Sequence, residues 1–187
     1  MQGLALYPLL LGELWAKLPE PVRRCHDAAP RLVAEGRFIV THARSWLARI
    51  VIALARMPRA RDGVRLRLEV NALADHLVWR RDFDEFTMLT TQRLRPDGRM
   101  AERRGPMELL FEVAGEADAI VYRPRGVRLC LGALRIPMPS WLAPRVEGRA
   151  WTVSGEACMH VHIVIAAPIL GTLVTYGGPL VPKTDDR

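Results

Sequence analysis

Residues 157–166 read ACMHVHIVIA, and they lie at the centre of the stretch from Leu131 to Leu180 that decides the fold. Every odd-numbered position in this segment is apolar, whereas Cys158, His160 and His162 occupy even-numbered positions. An apolar side chain at every second residue is typical of a half-buried β-strand. The segment therefore predicts a sheet with one face in a core.

The same period of two runs through most of the chain after Gly63. We predict strands over 64–70, 77–83, 86–94, 99–103, 107–113, 119–122, 127–131, 157–166 and 172–176. Pro168 and Gly177-Gly178-Pro179 are predicted to end the last two strands. Because no helical pattern separates the strands, a βαβ repeat and a parallel sheet are excluded. A sheet of this length must curl to protect its edges, which predicts a long curved antiparallel meander forming a half-barrel or a barrel.

The first 62 residues differ, because their apolar residues recur at helical spacing. We predict helices over 4–18, 21–26 and 44–57 and one short strand over 36–41. The helix at 44–57, RSWLARIVIALARM, is the most apolar segment. Three roles fit it: packing against the sheet as part of the core, covering a cavity as a lid, or lying on a membrane surface. Core packing is the commonest of the three. The predicted class is α+β in one domain over 1–187, with a helical part over 1–62, a sheet over 63–182 and a disordered tail over 183–187.

Charge and cysteine content exclude several classes of protein. The net charge is +7, but the basic residues are spread along the chain without a dense run or interleaved aromatic residues, which argues against specific nucleic-acid binding. Three cysteines at irregular spacing do not form a disulfide framework and fit a reducing cytoplasm. No apolar run approaches the ~20 residues that cross a bilayer. We therefore expect a cytoplasmic protein that is not integral to a membrane.

Several corner motifs resemble a known family. They include VWRRDF at residues 78–83, IPMPSWLAP at 136–144 and PILGTLVTYGGPL at 168–180. Together with shorter matches they resemble, over nearly the whole chain, the bacterial family catalogued as domain of unknown function 4166. The resemblance implies a standalone domain that elsewhere looks like the tail of predicted NAD(P)-binding, reductase-like proteins. It implies neither a reaction nor catalytic residues.

Arg81 is the candidate anchor for a ligand. It shares strand parity with Trp79 and Phe83, so an inward orientation would make it a buried charge that binds an anion such as a fatty-acid carboxylate. An outward orientation would make it an ordinary surface arginine. The predicted ligand-binding set is Trp79, Arg81, Phe83, Trp46, Trp141 and Tyr176.

Metal and catalytic sites have weaker candidates. Cys158, His160 and His162 share one strand face and suit zinc, but a solvated outer face is the commoner arrangement, and we predict no metal site and no cofactor. His26 is either a general base or, more commonly, a helix-end histidine bonded to a carbonyl. The sequence contains no G-x-S-x-G, glycine-rich phosphate loop or H-E-x-x-H, so nothing in it supports an enzyme.

Two functions are compatible with these patterns. The first is a carrier or sensor that holds an apolar or anionic amphipathic, lipid-like small molecule between the curved sheet and the helix at 44–57. The second is a non-catalytic accessory module that works with a reductase-like NAD(P)-binding partner. A lined cavity favours the carrier, and a filled interior with an exposed apolar patch favours the module.

Overall fold

The computed structural model describes residues 5–27 and 30–183, which contain four helices and eleven strands. The helices are α1 (Leu6–Leu11), α2 (Glu13–Lys17), α3 (Glu20–His26) and α4 (Trp46–Leu54). The strands are β1 (Arg31–His42), β2 (Arg61–Ala72), β3 (Leu77–Phe83), β4 (Phe86–Leu94), β5 (Met100–Arg104), β6 (Met107–Glu116), β7 (Ala119–Leu131), β8 (Leu134–Pro137), β9 (Arg145–Trp151), β10 (Met159–Ala167) and β11 (Gly171–Pro182).

The strands form one antiparallel sheet that closes into a barrel. Its order is β6-β5-β4-β3-β2-β1-β11-β10-β9-β7, and β7 returns to pair with β6, so ten strands complete the circle while β8 is added to one edge of β7. Of the two predicted forms, the sheet takes the closed barrel and not the half-barrel. Each of these ten strands pairs on both sides along at least part of its length, as expected for a sheet too long to stay open.

The predicted alternation is confirmed from Met159 onward, whereas Ala157 and Cys158 precede β10 and Ala157 is exposed. Met159 pairs with Leu180, Val161 with Gly178, and Ile163 with Tyr176, so these odd-numbered residues share the inner face of the barrel. The strand pattern therefore gave both the element and its buried face.

Glycine explains a wrong prediction at the end of the chain. Gly177-Gly178-Pro179 does not end a strand, because β11 continues to Pro182. A Cβ on Gly178 would overlap the carbonyl oxygen of Arg37, and one on Gly36 would overlap that of Pro179. Glycine at these positions permits the close approach of β1 and β11.

The three N-terminal helices lie at the end of the barrel where β4 and β6 finish. The predicted helix over 4–18 is instead two helices, because Gly12 takes a φ of +55° and interrupts the ladder; residue 4 lies outside the described residues. Tyr7 and Val22 are fully buried. The N-terminal segment therefore contributes side chains to the barrel interior.

Most of the apolar face of helix α4 points away from the core, whereas core packing was the commonest of its predicted roles. It begins at Ser45, whose Oγ accepts a hydrogen bond from the amide of Ala48. Only Ala48 and Ile52 are buried, while Trp46 is 69% exposed and Leu54 is 79% exposed. Inward-facing strand and N-terminal side chains form the core, and this helix turns most of its apolar face outward.

The segment after α4 crosses the other end of the barrel. Ala43, just before α4, donates its amide hydrogen to the carbonyl of Leu173, and Arg104, at the end of β5, donates to the carbonyl of Arg56 at 2.6 Å. The stretch from β1 to β2 is thereby attached to β11 and to β5. Within the described ranges, no helix is both long enough and apolar enough to span a membrane.

Two strands near the proline-rich corner were not predicted. β8 and β9 flank the loop at 138–144, and the predicted strands 119–122 and 127–131 are one continuous β7. Lys183, the first residue of the predicted tail, donates its amide hydrogen to the carbonyl of Val33 at 2.8 Å. Residues 184–187 lie outside the described residues.

Candidate functional site

Arg81 points into the barrel. It pairs with Leu68 on β2 and Met88 on β4, both buried on the inner face, and its guanidinium lies 3.3 Å from the carboxylate of Glu102. The two side chains are only 14% and 15% exposed. Burial acts to lower the pKa of Arg81, but the charge of Glu102 raises it above its usual value. The sequence led us to expect a ligand anion beside an inward-facing Arg81. In the structure the carboxylate of Glu102 occupies that position.

Trp79 forms the base on which this ion pair lies. The guanidinium of Arg81 is 4.9 Å from the centre of the indole, and it also donates to Thr90 Oγ1 at 2.9 Å. Among the described residues, the buried indole N–H of Trp79 has no hydrogen-bond partner. An unpaired buried donor costs about 1–3 kcal/mol unless a water or ligand accepts from it.

A chain of hydrogen bonds extends from Glu102 across the interior. Gln92 Nε2 donates to Glu102 at 3.1 Å, and the hydroxyl of Tyr7 donates to Gln92 Oε1 at 3.0 Å. The hydroxyl of Tyr122 has one hydrogen and two neighbouring acceptors, the oxygen of Tyr7 at 3.0 Å and Nε2 of His26 at 2.9 Å. Side chains from β5, β4, α1, β7 and α3 thus form one buried polar network.

His26 ends this network in a neutral state. Its Nδ1 lies 2.8 Å from the carbonyl of Val22, which only accepts, so Nδ1 carries the hydrogen and Nε2 is free to accept from Tyr122. Burial lowers the pKa of His26 to about 4, against the smaller effect of the Val22 bond. Burial also raises the pKa of Tyr7 and Tyr122. His26 therefore makes the contact expected of a helix-end histidine, a hydrogen bond to a backbone carbonyl.

Part of the inner face is apolar but not fully buried. Several inward-facing side chains are only half-buried; they are Phe86, Val146, Val161, Ile163 and Ile165. Tyr176 lies on the same inner face. The ion pair thus shares the inner face with apolar residues that core packing leaves partly exposed.

The barrel wall is incomplete between β7 and β9. β7 pairs with β9 only over residues 119–122 and with β8 only over 128–131, and in the described structure no strand pairs with this edge of residues 123–127. A groove of about 670 Å³ lies there on the outer side of the wall. Its lining includes Tyr122, Pro124 and Gly148 together with polar or charged residues, namely Arg123, Arg145, Glu147, Arg149 and His162. Tyr122 and Gly148 are cross-strand partners near inward-facing Ile163. The groove therefore adjoins the interior.

The predicted ligand set divides into two groups. Trp79, Arg81, Phe83 and Tyr176 lie on the inner face, whereas Trp46 lies on α4 and Trp141, 63% exposed, in the loop at 138–144. Trp46 and Trp141 do not contribute to the interior.

The residues missed by sequence reasoning are polar ones inside the barrel: Tyr7, Gln92, Glu102 and Tyr122. For Gln92 and Glu102, the sequence signal that could have placed them inside was their position in the strand alternation. Gln92 shares parity with Met88, and Glu102 with Met100, but a polar residue in an alternating strand is normally assigned to the outside.

The predicted histidine and cysteine set is also rearranged. Cys158 and His160 lie together with Glu156, and their donor atoms are within 4.8 Å of one another, but His162 is not part of this cluster.

Comparison with protein families gives one assignment. The family model described as Domain of unknown function (DUF4166) matches residues 18–180. The chain belongs to this family. The matched DUF4166 region contains Arg81, Glu102, Gln92, Tyr122 and His26 and begins after α2. Comparison with curated proteins found no match, and comparison with solved structures found none.

Proposed function

We propose that the barrel interior binds one apolar or amphipathic small molecule. The observation that carries this proposal is the partial exposure of inward-facing Val161, Ile163 and Ile165 beside a buried polar cluster. Ligand sites are typically apolar pockets with a few polar groups that orient the ligand. A barrel of ten strands encloses more space than one of eight, whose interior is either filled by side chains or holds one small ligand.

The polar groups favour a ligand with a neutral polar end. Arg81 already pairs with Glu102, so a ligand carboxylate would have to compete with a resident one. The indole N–H of Trp79 is the donor that lacks an acceptor. A carbonyl, ester or hydroxyl oxygen would satisfy it, with the apolar part of the ligand against Ile163 and Ile165.

The groove between β7 and β9 supports a route of entry. It adjoins the interior at Tyr122 and Gly148, and a side chain at position 148 would lie 2.8 Å from Ile163 and 3.1 Å from Tyr122. Glycine therefore keeps this part of the wall thin. Pro124, on the opposite side of the groove, has no N–H with which to pair a strand there.

Mass spectrometry of organic extracts, paired with native mass spectrometry of protein purified without detergent, tests the proposal. We expect one bound apolar or amphipathic molecule per chain, either as purified or after incubation with a lipid library. Ile163→Trp, which fills the interior, should abolish this binding, whereas Leu89→Trp places the same ring on the exposed outer face of β4 and should not. An empty wild-type chain after incubation, or equal binding by both variants, would overturn the proposal.

We also propose that α4 contacts an anionic membrane surface, where such a ligand would be collected or released. Its exposed apolar residues include Trp46, Ile50 and Leu54, which recur at four-residue spacing on one side of the helix. Residues 43–60 contain four arginines and no aspartate or glutamate. Each arginine near an anionic surface contributes about 1 kcal/mol, and the apolar side enters the headgroup region.

Co-sedimentation with vesicles tests this docking. Wild-type protein should sediment with vesicles containing phosphatidylglycerol and much less with phosphatidylcholine alone, and added salt should weaken the binding. Ile50→Asp should reduce sedimentation, while Leu89→Asp on the barrel wall should not. Equal sedimentation of both variants, or none with either lipid, would overturn the membrane role and favour a protein on α4, as the accessory-module alternative requires.

A further inference from the structure

Three side chains with metal-binding donor atoms converge where β10 begins. The Sγ atom of Cys158 lies 3.6 Å from His160 Nε2 and 3.2 Å from Glu156 Oε2, and the last two atoms are 2.5 Å apart. The cluster is on the outside of the barrel and belongs to neither the interior network nor α4. Glu156 precedes the strand, so periodicity alone did not reveal it.

These distances approach those of a zinc site. Zinc bonds of about 2.3 Å to sulfur and about 2.0–2.1 Å to nitrogen or oxygen place tetrahedral donors roughly 3.3–3.6 Å apart. The distance between Sγ and Nε2 already has this value. The carboxylate of Glu156 would have to move away from His160 by somewhat less than about 1 Å, which an exposed glutamate side chain does by rotation.

The geometry is wrong for a nucleophilic cysteine and histidine. In such a pair the imidazole uses one nitrogen for the thiol and the other for an orienting carboxylate. Here the thiol and the carboxylate both face Nε2 of His160, so the ring cannot relay a proton between them. Three donors facing a common point are instead what a metal ion requires.

Neighbouring residues hold two of the donors in place. The indole of Trp151 stacks on the ring of His160 with their centres 5.6 Å apart. Thr152 Oγ1 donates to the carbonyl of Cys158 at 2.9 Å. Gly155, with a φ of +87°, allows the turn that brings Glu156 back towards the strand. The site is therefore fixed at Cys158 and His160 and adjustable at Glu156.

We propose that Glu156, Cys158 and His160 bind a zinc ion, with a water molecule as the fourth ligand. A thiolate, an imidazole and a carboxylate together suit zinc better than calcium or magnesium, which prefer oxygen donors alone. The side chains of Glu156 and His160 are 45% and 24% exposed, so the fourth position faces solvent. Three protein ligands and one water form the open arrangement of zinc sites.

Competition between the protein and a chromophoric zinc chelator tests the proposal, with protein purified without a polyhistidine tag. We expect one zinc ion per chain. Cobalt in place of zinc should produce a thiolate-to-metal charge-transfer band that disappears in Cys158→Ser. Losing even a group that supports a ligand costs about 10–100-fold in affinity, so Cys158→Ser and His160→Ala should each weaken zinc binding by at least about 100-fold.

His162→Ala is the matched control, because it removes an imidazole two residues along the same strand face. It should leave zinc affinity unchanged, and Glu156→Gln, at an exposed position, tests the third ligand without threatening the fold. Absence of stoichiometric zinc binding in the wild type would overturn the proposal. So would equal losses from His162→Ala and His160→Ala, or a cobalt band that survives Cys158→Ser.

Discussion

Breaking the ion pair between Arg81 and Glu102 should cost far more than breaking a surface pair on the same strand. Removing one partner of a buried pair costs about 3–5 kcal/mol, because the other charge remains without compensation. Here both side chains are nearly buried, at 14% and 15% exposure. In Glu102→Leu, Arg81 keeps its hydrogen bond to Thr90, but Gln92 loses the carboxylate to which it donates. We therefore expect Glu102→Leu to lower the free energy of unfolding by about 3–5 kcal/mol.

A double-mutant cycle measured by urea unfolding separates the pair from its surroundings. The double variant Arg81→Met with Glu102→Leu should be close to the wild type in stability, because an apolar pair of similar volume replaces the ions without leaving a charge. Arg80→Met is the control, since Arg80 and Asp82 form an exposed pair worth at most about 1 kcal/mol. Additive effects in the cycle, or a Glu102→Leu cost no larger than that of Arg80→Met, would refute this reasoning.

Three further predictions concern the barrel interior and the close approach of β1 and β11. Burial lowers the pKa of His26 to about 4, whereas a histidine in the unfolded chain has a pKa near 6.5. The free energy of unfolding should therefore be at its full value above pH 6.5 and fall by up to about 3 kcal/mol as the pH drops to about 4. Urea unfolding of His26→Gln should not show this loss. Ile163→Trp should cost less than the roughly 1–3 kcal/mol of an overpacked core, and thermal unfolding showing a larger loss would mean a filled interior. Gly178→Ala should destabilise the barrel by at least about 2 kcal/mol, because its methyl would overlap a backbone oxygen. Gly115→Ala, whose methyl would lie 3.2 Å from Leu14 Cβ and 3.9 Å from Leu11 Cδ2, should cost under about 1 kcal/mol by the same assay.

Local periodicity predicted those parts of the fold whose inward side chains are large. Residues 157–166 show large apolar groups at every second position, and the parity of Trp79 and Phe83 correctly places Arg81 with them. β9 follows the same alternation, but its inward residues include Gly148 and Ala150, which are too small to give an apolar signal.

Other features depend on contacts that no local pattern encodes. The apolar spacing of α4 is the same whether its partner is the sheet or something outside the molecule, so sequence alone could not orient Trp46. The pairing of β1 with β11 joins segments at opposite ends of the chain, and the polar network depends on that closed arrangement. Glu102 and Gln92 look like surface residues until the strands that bury them are in position.

The seam between β1 and β11 also sets the order of events during folding. Gly36 pairs with Leu180, so the barrel cannot close until β11, more than a hundred residues after β1, has been synthesised. Pairing between strands so distant in sequence makes folding slow, and an unclosed sheet exposes two strand edges to other chains. Until β11 arrives, β1 is one of those edges and is open to pairing with a strand of another chain.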